Sequence, residues 1–468
     1  MRSLVVLVGV WSLWLVPVHR RLATWSPIEL SSVRRDCRNA HPQPTTDTTV
    51  WPQLRRWSHS SKARQSEGFQ DAGSHWTQEA EGSNSSLRMV FLVHRHGDRM
   101  PLLIPQNSPL QMEPIRSTYA PGQLTNEGKA RLYLLGGNVR KRYNQFLGRS
   151  VNKNRVMTRS SSASCCLESA QMFLAGLLPL DLANSSDSER LVWGELNNKL
   201  AHLWQPAAIS SAPRNFDGML SLADCKLVAN RIGELHSNGE ILREFAKLEG
   251  EAEILENHLG YEIDSLLEWV PAADLLEMER RMFPQEFALE LAQIYDRVLD
   301  ASDLAFRALQ QGHDRVRLRI GLLLGDINSL MLDTSRPDEP TSSDPAPMAK
   351  QFVQYSTHDL YVASLLAVLG EWTGTRACRP DHGASVLIEL HRNDPTGGWF
   401  VRAFHVPQTP GPIFELKLWR CTRRDGAGRC TLDGFGAMLQ PFIITSWAQW
   451  MRECGNELEG IEVYATAS

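Results

Sequence analysis

Apolar residues recur along this chain in two patterns, and each predicts a different element. "MVFLV" (Met89–Val93) is continuously apolar, the mark of a strand buried on both faces of a mainly parallel sheet. Shorter runs ending at Met157 and covering Phe352, Val353 and Tyr355 predict two more strands. Helical spacing follows two of these strands, in Leu167, Ala170, Met172, Phe173, Leu174 and Leu177, and from Leu360 to Gly370. The segment "LVANRIGELHSNGEILREFAKLEGEAEILENHLG" carries a long helical period, which predicts helices covering the ligand crevice.

The predicted architecture is an α/β core with a mixed, mainly parallel sheet flanked by helices on both faces. It takes in residues 87–206 and 314–468, and 207–313 form a helical cap. Two stretches break the periodicity. From 22 to 86 the composition turns to Ser, Thr, Arg, Gln and Pro, predicting a disordered linker or pro-segment; 333–348 reads as an exposed loop. Residues 1–21 hold one arginine, about 15 apolar positions and a basic pair, which suits a secretory signal or a signal anchor. A membrane anchor at the N-terminus therefore stays open, and a secreted, lysosomal or endomembrane-luminal location is expected.

The chain has 468 residues and a net charge of −4, which gives no reason to expect nucleic acid as a partner. Any selectivity for anions has to come from local arginines. Eight cysteines are few for this length but fit an oxidising compartment. Cys421 and Cys430 flank a Gly-rich turn, as a loop-closing disulfide would, and Asn84 and Asn184 lie in N-S-S glycosylation sequons.

Each predicted strand end delivers charge. Arg95, His96 and Arg99 follow the first, Arg159 the second, and His358 and Asp359 the third. Taken singly, such groups are solvated loop residues or helix caps; their ordered recurrence, each between a strand and a helix, is what singles them out. Three arginines and two histidines in one crevice suit a tetrahedral oxyanion, because guanidinium forks match phosphate oxygens. The sequence has neither a Walker lysine motif nor carboxylates spaced for two metals, so no metal or cofactor is expected. A neutral imidazole can attack phosphorus and form a phosphohistidine, and Asp359 can protonate the leaving alkoxide.

These residues resemble the histidine acid phosphatases, the prostatic and lysosomal branch of the histidine phosphatase superfamily, whose fold is phosphoglycerate mutase-like. "RHGDR-x-P" stands at Arg95–Pro101 and "S-x-H-D" at Ser356–Asp359, and the likeness extends over about 87–455. It implies that His96 is the nucleophile, Asp359 the proton donor, and Arg95, Arg99, Arg159 and His358 the phosphate clamp. It also implies a disulfide between Cys225 and Cys454 beside that of Cys421 with Cys430, a homodimer, and a small-molecule or protein phosphate monoester as substrate at acid pH. Asp98 reads as a structural partner of a nearby arginine. One departure stands out: "SSSASCC" follows Arg159 where the family carries an aspartate pair and a second arginine. The family's third disulfide lacks a counterpart too, with Val386 where a cysteine is common, leaving Cys37, Cys165, Cys166 and Cys378 unassigned. Two rival readings follow, a catalytically weak phosphate-binding or scavenging protein and a phosphomutase.

Overall fold

The computed structural model describes residues 76, 86–148, 151–179, 206–221, 225–336, 350–370, 379–393 and 397–456. Residues 1–21, the sequons at Asn84 and Asn184, Cys37, Cys378 and most of 333–348 lie outside the described residues. So does the segment read as a linker, Trp76 and Ser86 excepted. Trp76 is buried, and its indole N–H donates to the Gly411 carbonyl at 3.0 Å. A large ring with one donor satisfied gains from burial wherever a groove accepts it.

In chain order, and passing over single turns of helix, the elements are β1 (Leu87–Arg95), α1 (Asn126–Arg142), β2 (Val156–Ser160), α2 (Ser164–Leu177), α3 (Lys226–Gly233), α4 (Gly239–Ala246), α5 (Glu249–Leu259), α6 (Trp269–Met282), α7 (Leu289–Gln310), α8 (His313–Ser335), β3 (Phe352–Thr357), α9 (Asp359–Leu369), β4 (Ser385–Asn393), β5 (Gly398–Val406), β6 (Phe414–Leu416), β7 (Cys430–Thr431), α10 (Leu432–Leu439) and α11 (Trp447–Glu453). The strand order is β2-β3-β1-β4-β5-β6, with β7 beside β5. Strands β2, β3 and β1 run parallel, whereas β4 to β7 pair antiparallel. The parallel part carries all three charged strand ends, in a register that sets Arg95 against Thr357 and Ser160 against Ser356.

Alternation along β1 divides the core. Met89, Phe91 and Val93 join Ile320, Leu323, Leu324 and Ile327 of α8 and Val362, Leu365 and Leu366 of α9 on one face. Val90 and Leu92 pack on the other face with Leu132, Leu135 and Val139 of α1 and Phe173 and Leu177 of α2. Each such side chain, fully removed from water, contributes about 1.5–3 kcal/mol. A third apolar cluster ties Met100 and Leu110, just past β1, to Leu255 of α5, Leu275 and Leu276 of α6 and Val298 of α7. Helices α5 to α7 are thereby seated over the end of β1.

Two glycines allow the crossing at that end. A Cβ on Gly97 would come within 2.6 Å of the Gly128 carbonyl oxygen, and one on Gly128 within 2.2 Å of the Asp98 carbonyl oxygen. Helix α1 can therefore start against the backbone of the turn, where Thr125 caps it by accepting from Gly128 N–H at 3.2 Å. Disulfides join Cys225 to Cys454 and Cys421 to Cys430, while Cys165 and Cys166 are free and buried. No helix among the described residues is long and apolar enough to cross a membrane.

Candidate active site

The turn after β1 is fixed by its backbone. His96 N–H donates to the Thr357 carbonyl at 3.0 Å, the His96 carbonyl accepts from Gly383 N–H at 3.1 Å, and Gly97 N–H donates to Ser169 Oγ of α2 at 3.0 Å. The His96 ring lies 2.8 Å from the Gly97 carbonyl oxygen through Nδ1. A carbonyl only accepts, so Nδ1 carries the proton and Nε2 keeps its lone pair. Burial, then Arg95 and Arg99, hold this imidazole well below its usual range, so it stays neutral in acid.

The other expected residues converge on the same place. The His358 ring lies edge-on to His96 with centroids 5.6 Å apart, and His382, from the turn before β4, lies at the same distance on another side. Burial pushes His358 down to about 4 against the opposing pull of Asp359, and Arg99 and Arg95 add to the fall. Arg95 donates from Nη1 to the Pro380 carbonyl at 2.6 Å and approaches Asp359 Oδ2 at 3.2 Å through Nη2. Its Nε and Nη2 are buried without a hydrogen-bond partner, and so is Nε of Arg159. Unused guanidinium donors at the mouth of a parallel sheet are what an oxyanion would fill.

Each arginine is nevertheless matched by a carboxylate. Arg99 donates to Asp274 Oδ2 at 2.9 Å, and Arg159 lies 3.5 Å from Asp217 Oδ1. Asp98 is fully buried between Arg131 and Arg281, which drive it strongly down against the opposing effect of burial. It thus partners arginines, as its setting in the sequence suggested.

Asp359 departs most from expectation. It was expected to hold a transferable proton, yet Arg379 Nε donates to its Oδ2 at 2.8 Å beside Arg95. Burial raises this carboxyl, but the two guanidinium groups together hold it well below the ordinary range, so in the unliganded site it is an ion.

The altered segment after Arg159 has a local explanation. Ser161 Oγ lies 3.2 Å from His358 Nε2 and 2.9 Å from Ser221 Oγ, and Cys166 Sγ sits 3.7 Å from the same imidazole nitrogen. Neutral groups therefore support His358 here. Arg159 takes its carboxylate from Asp217, whose Oδ1 also accepts Leu220 N–H at 3.0 Å.

Sequence reasoning missed Asp217, Asp274, Arg379 and His382. They come from loops and from α6, where no motif marks them. Among the described residues, no three His, Cys, Asp and Glu side chains converge to hold a metal ion.

Comparison with known proteins gives a consistent picture. The model of the histidine phosphatase superfamily (branch 2) matches residues 86–217. Prostatic acid phosphatase of Rattus norvegicus is 28% identical over 376 residues, 78% of this chain and 89% of that protein. Lysosomal acid phosphatase of Homo sapiens is 27% identical over 373 residues, 78% of this chain and 80% of that one. Among solved structures, the phytase from Citrobacter braakii superposes with a TM-score of 0.54 at 15% identity, covering 79% of this chain and 99% of the phytase. The Hafnia alvei phytase in complex with myo-inositol hexakis sulphate gives 0.53 at 16%, covering 77% and 97%. At such identities the two phytases speak to fold alone.

Proposed function

We propose that the chain, whose residues 86–217 match the model of the histidine phosphatase superfamily (branch 2), is a member of that family and hydrolyses phosphate monoesters in the crevice lined by Arg95, His96, Arg99, Arg159, His358 and Asp359. The observation that carries this reading is the His96 ring. Its proton is committed to the Gly97 carbonyl, and its free Nε2 stands in a site where Arg95 and Arg159 have bare donors.

The phosphoryl oxygens lie against the guanidinium groups and the His358 ring, and His96 Nε2 attacks phosphorus as the ester oxygen departs. Water then attacks the phosphohistidine and releases inorganic phosphate. Asp359 protonates the departing alkoxide. Its ionised resting state supports a division of labour: a bound phosphate dianion competes for Arg95, weakens that hold on Asp359, and lets the carboxyl take a proton in the complex. Acid pH favours the same proton, so an acidic optimum follows.

In this reading residues 207–313 cap a catalytic core made of 87–206 and 314–468. A secretory or lysosomal lumen location, glycans on Asn84 and Asn184, and a homodimer belong to the same proposal, resting on the signal-like N-terminus, the sequons and the resemblance.

The test is release of inorganic phosphate from an aryl phosphate at pH about 5 with a chelator present, comparing the wild type with His96→Ala. Turnover that vanishes in the variant supports the reading, and equal turnover in both refutes it.

A further inference from the structure

The proposed phosphate clamp already holds an anion of its own. Asp274 on α6 accepts from Arg99 Nη2 at 2.9 Å, and its other oxygen lies 2.7 Å from Arg379 Nη1. Arg379 in turn grips Asp359 at 2.8 Å. One cap carboxylate therefore bridges a clamp arginine and the arginine that holds the proposed proton donor, which puts it on the leaving-group side of the reacting phosphorus.

More acid surrounds it. Glu277, one turn further along α6, is pushed up to about 7 by burial against the pull of Arg379, so at acid pH it offers a neutral hydrogen-bonding carboxyl beside Asp274. Asp303 of α7 accepts from the backbone N–H of Arg379 at 3.2 Å. The Arg379 guanidinium is thus shared between Asp274 and Asp359, and it has no charge to spare for a second anion brought in by a substrate. Hydroxyl groups, by contrast, could donate to Asp274 once Arg99 turns to the phosphate.

We infer that Asp274 is a specificity-determining residue, which admits phosphate monoesters of uncharged, hydroxyl-bearing alcohols and excludes those carrying a second phosphate beside the scissile ester. Discrimination of this kind works by repulsion: a like charge built into the wall costs the wrong substrate more than it costs the right one. The inference rests on the hydrolytic reading, and its test keeps the two apart.

That test is kcat/KM for a polyol monophosphate and for the vicinal bisphosphate of the same polyol, with the full chain, Asp274→Asn and Asp274→Glu. The wild type is expected to favour the monophosphate by about tenfold or more. Asp274→Asn should abolish most of that preference, chiefly by lowering KM for the bisphosphate, and Asp274→Glu should keep it. An unchanged ratio in Asp274→Asn, or a wild-type preference for the bisphosphate, overturns the inference while hydrolysis stands. The wild-type ratio alone decides if the variants fail to fold. If the wild type releases phosphate from neither ester, the hydrolytic reading fails instead. Calorimetric affinities for the same two ligands then decide: a monophosphate preference lost in Asp274→Asn upholds the selector, and equal wild-type affinities overturn it.

Discussion

Two buried arginine–carboxylate clusters lie on neighbouring strands of this sheet, and they are built to opposite ends. In one, Glu389 of β4 receives Arg142 Nη2 at 3.2 Å, the Tyr143 hydroxyl at 2.7 Å and His391 Nε2 at 2.9 Å, and Ser86 closes the far side of His391. No buried polar atom of Arg142, Tyr143, Glu389 or His391 is left without a partner. In the other, at the end of β1, Arg95 is equally buried and ion-paired, yet two of its three nitrogens lack a hydrogen bond. Burial and charge are alike in both. A buried ion pair that satisfies every donor is structural, whereas one that leaves donors bare has them available for a ligand.

Breaking each cluster should therefore have different consequences. The largest effect is expected from His96→Ala, which removes the proposed nucleophile beside Arg95. Phosphate release should fall by at least about 10³-fold, while the thermal melt stays within a degree or two of the wild type. Glu389→Ala should do the reverse, costing about 3–5 kcal/mol in urea unfolding because Arg142 is left buried without its carboxylate. The kcat of whatever folded protein remains should be little changed.

Arg95→Gln comes next, with kcat/KM for an aryl phosphate lowered by about 10²-fold through loss of phosphate contacts. Smaller again is Arg379→Gln. Because Arg379 helps hold Asp359 far below the ordinary carboxylate range, its removal lets that carboxyl rise. The protonated acid then persists to higher pH, and the alkaline limb of the kcat profile should move to higher pH. The linkage has the opposite sign for stability. A depressed carboxyl stabilises the fold above its unfolded pKa and loses that contribution as pH falls through the folded value, so the variant should also gain less stability from ionised Asp359 at neutral pH.

The contrast explains what could be seen in the sequence. Met89–Val93 announced β1 through its unbroken apolar run, and Arg95, His96, Arg99, Arg159, His358 and Asp359 were singled out because strand ends in parallel sheets gather ligands. Both reasons are local, a few residues of pattern followed by a turn. Asp274, Asp217 and Arg379 had no such signal. Asp274 reads as the polar face of an amphipathic helix, and only the packing of α6 against Met100 and Leu110 turns it toward Arg99. Arg379 lies some twenty residues past the "S-x-H-D" motif, and its grip on Asp359 is a tertiary fact. Trp76 was hidden in a polar stretch whose composition argued against any fixed contact.

The central claim is that the bare donors of the second cluster hold a phosphate that His96 attacks. The most direct measurement mixes full-length enzyme with an aryl phosphate, quenches within milliseconds, and maps the phosphorylated residue by mass spectrometry. The account predicts one acid-labile, base-stable phosphoryl group on His96, lost in His96→Ala. Phosphate release with no adduct on His96, or an adduct on another residue that survives in His96→Ala, would contradict it.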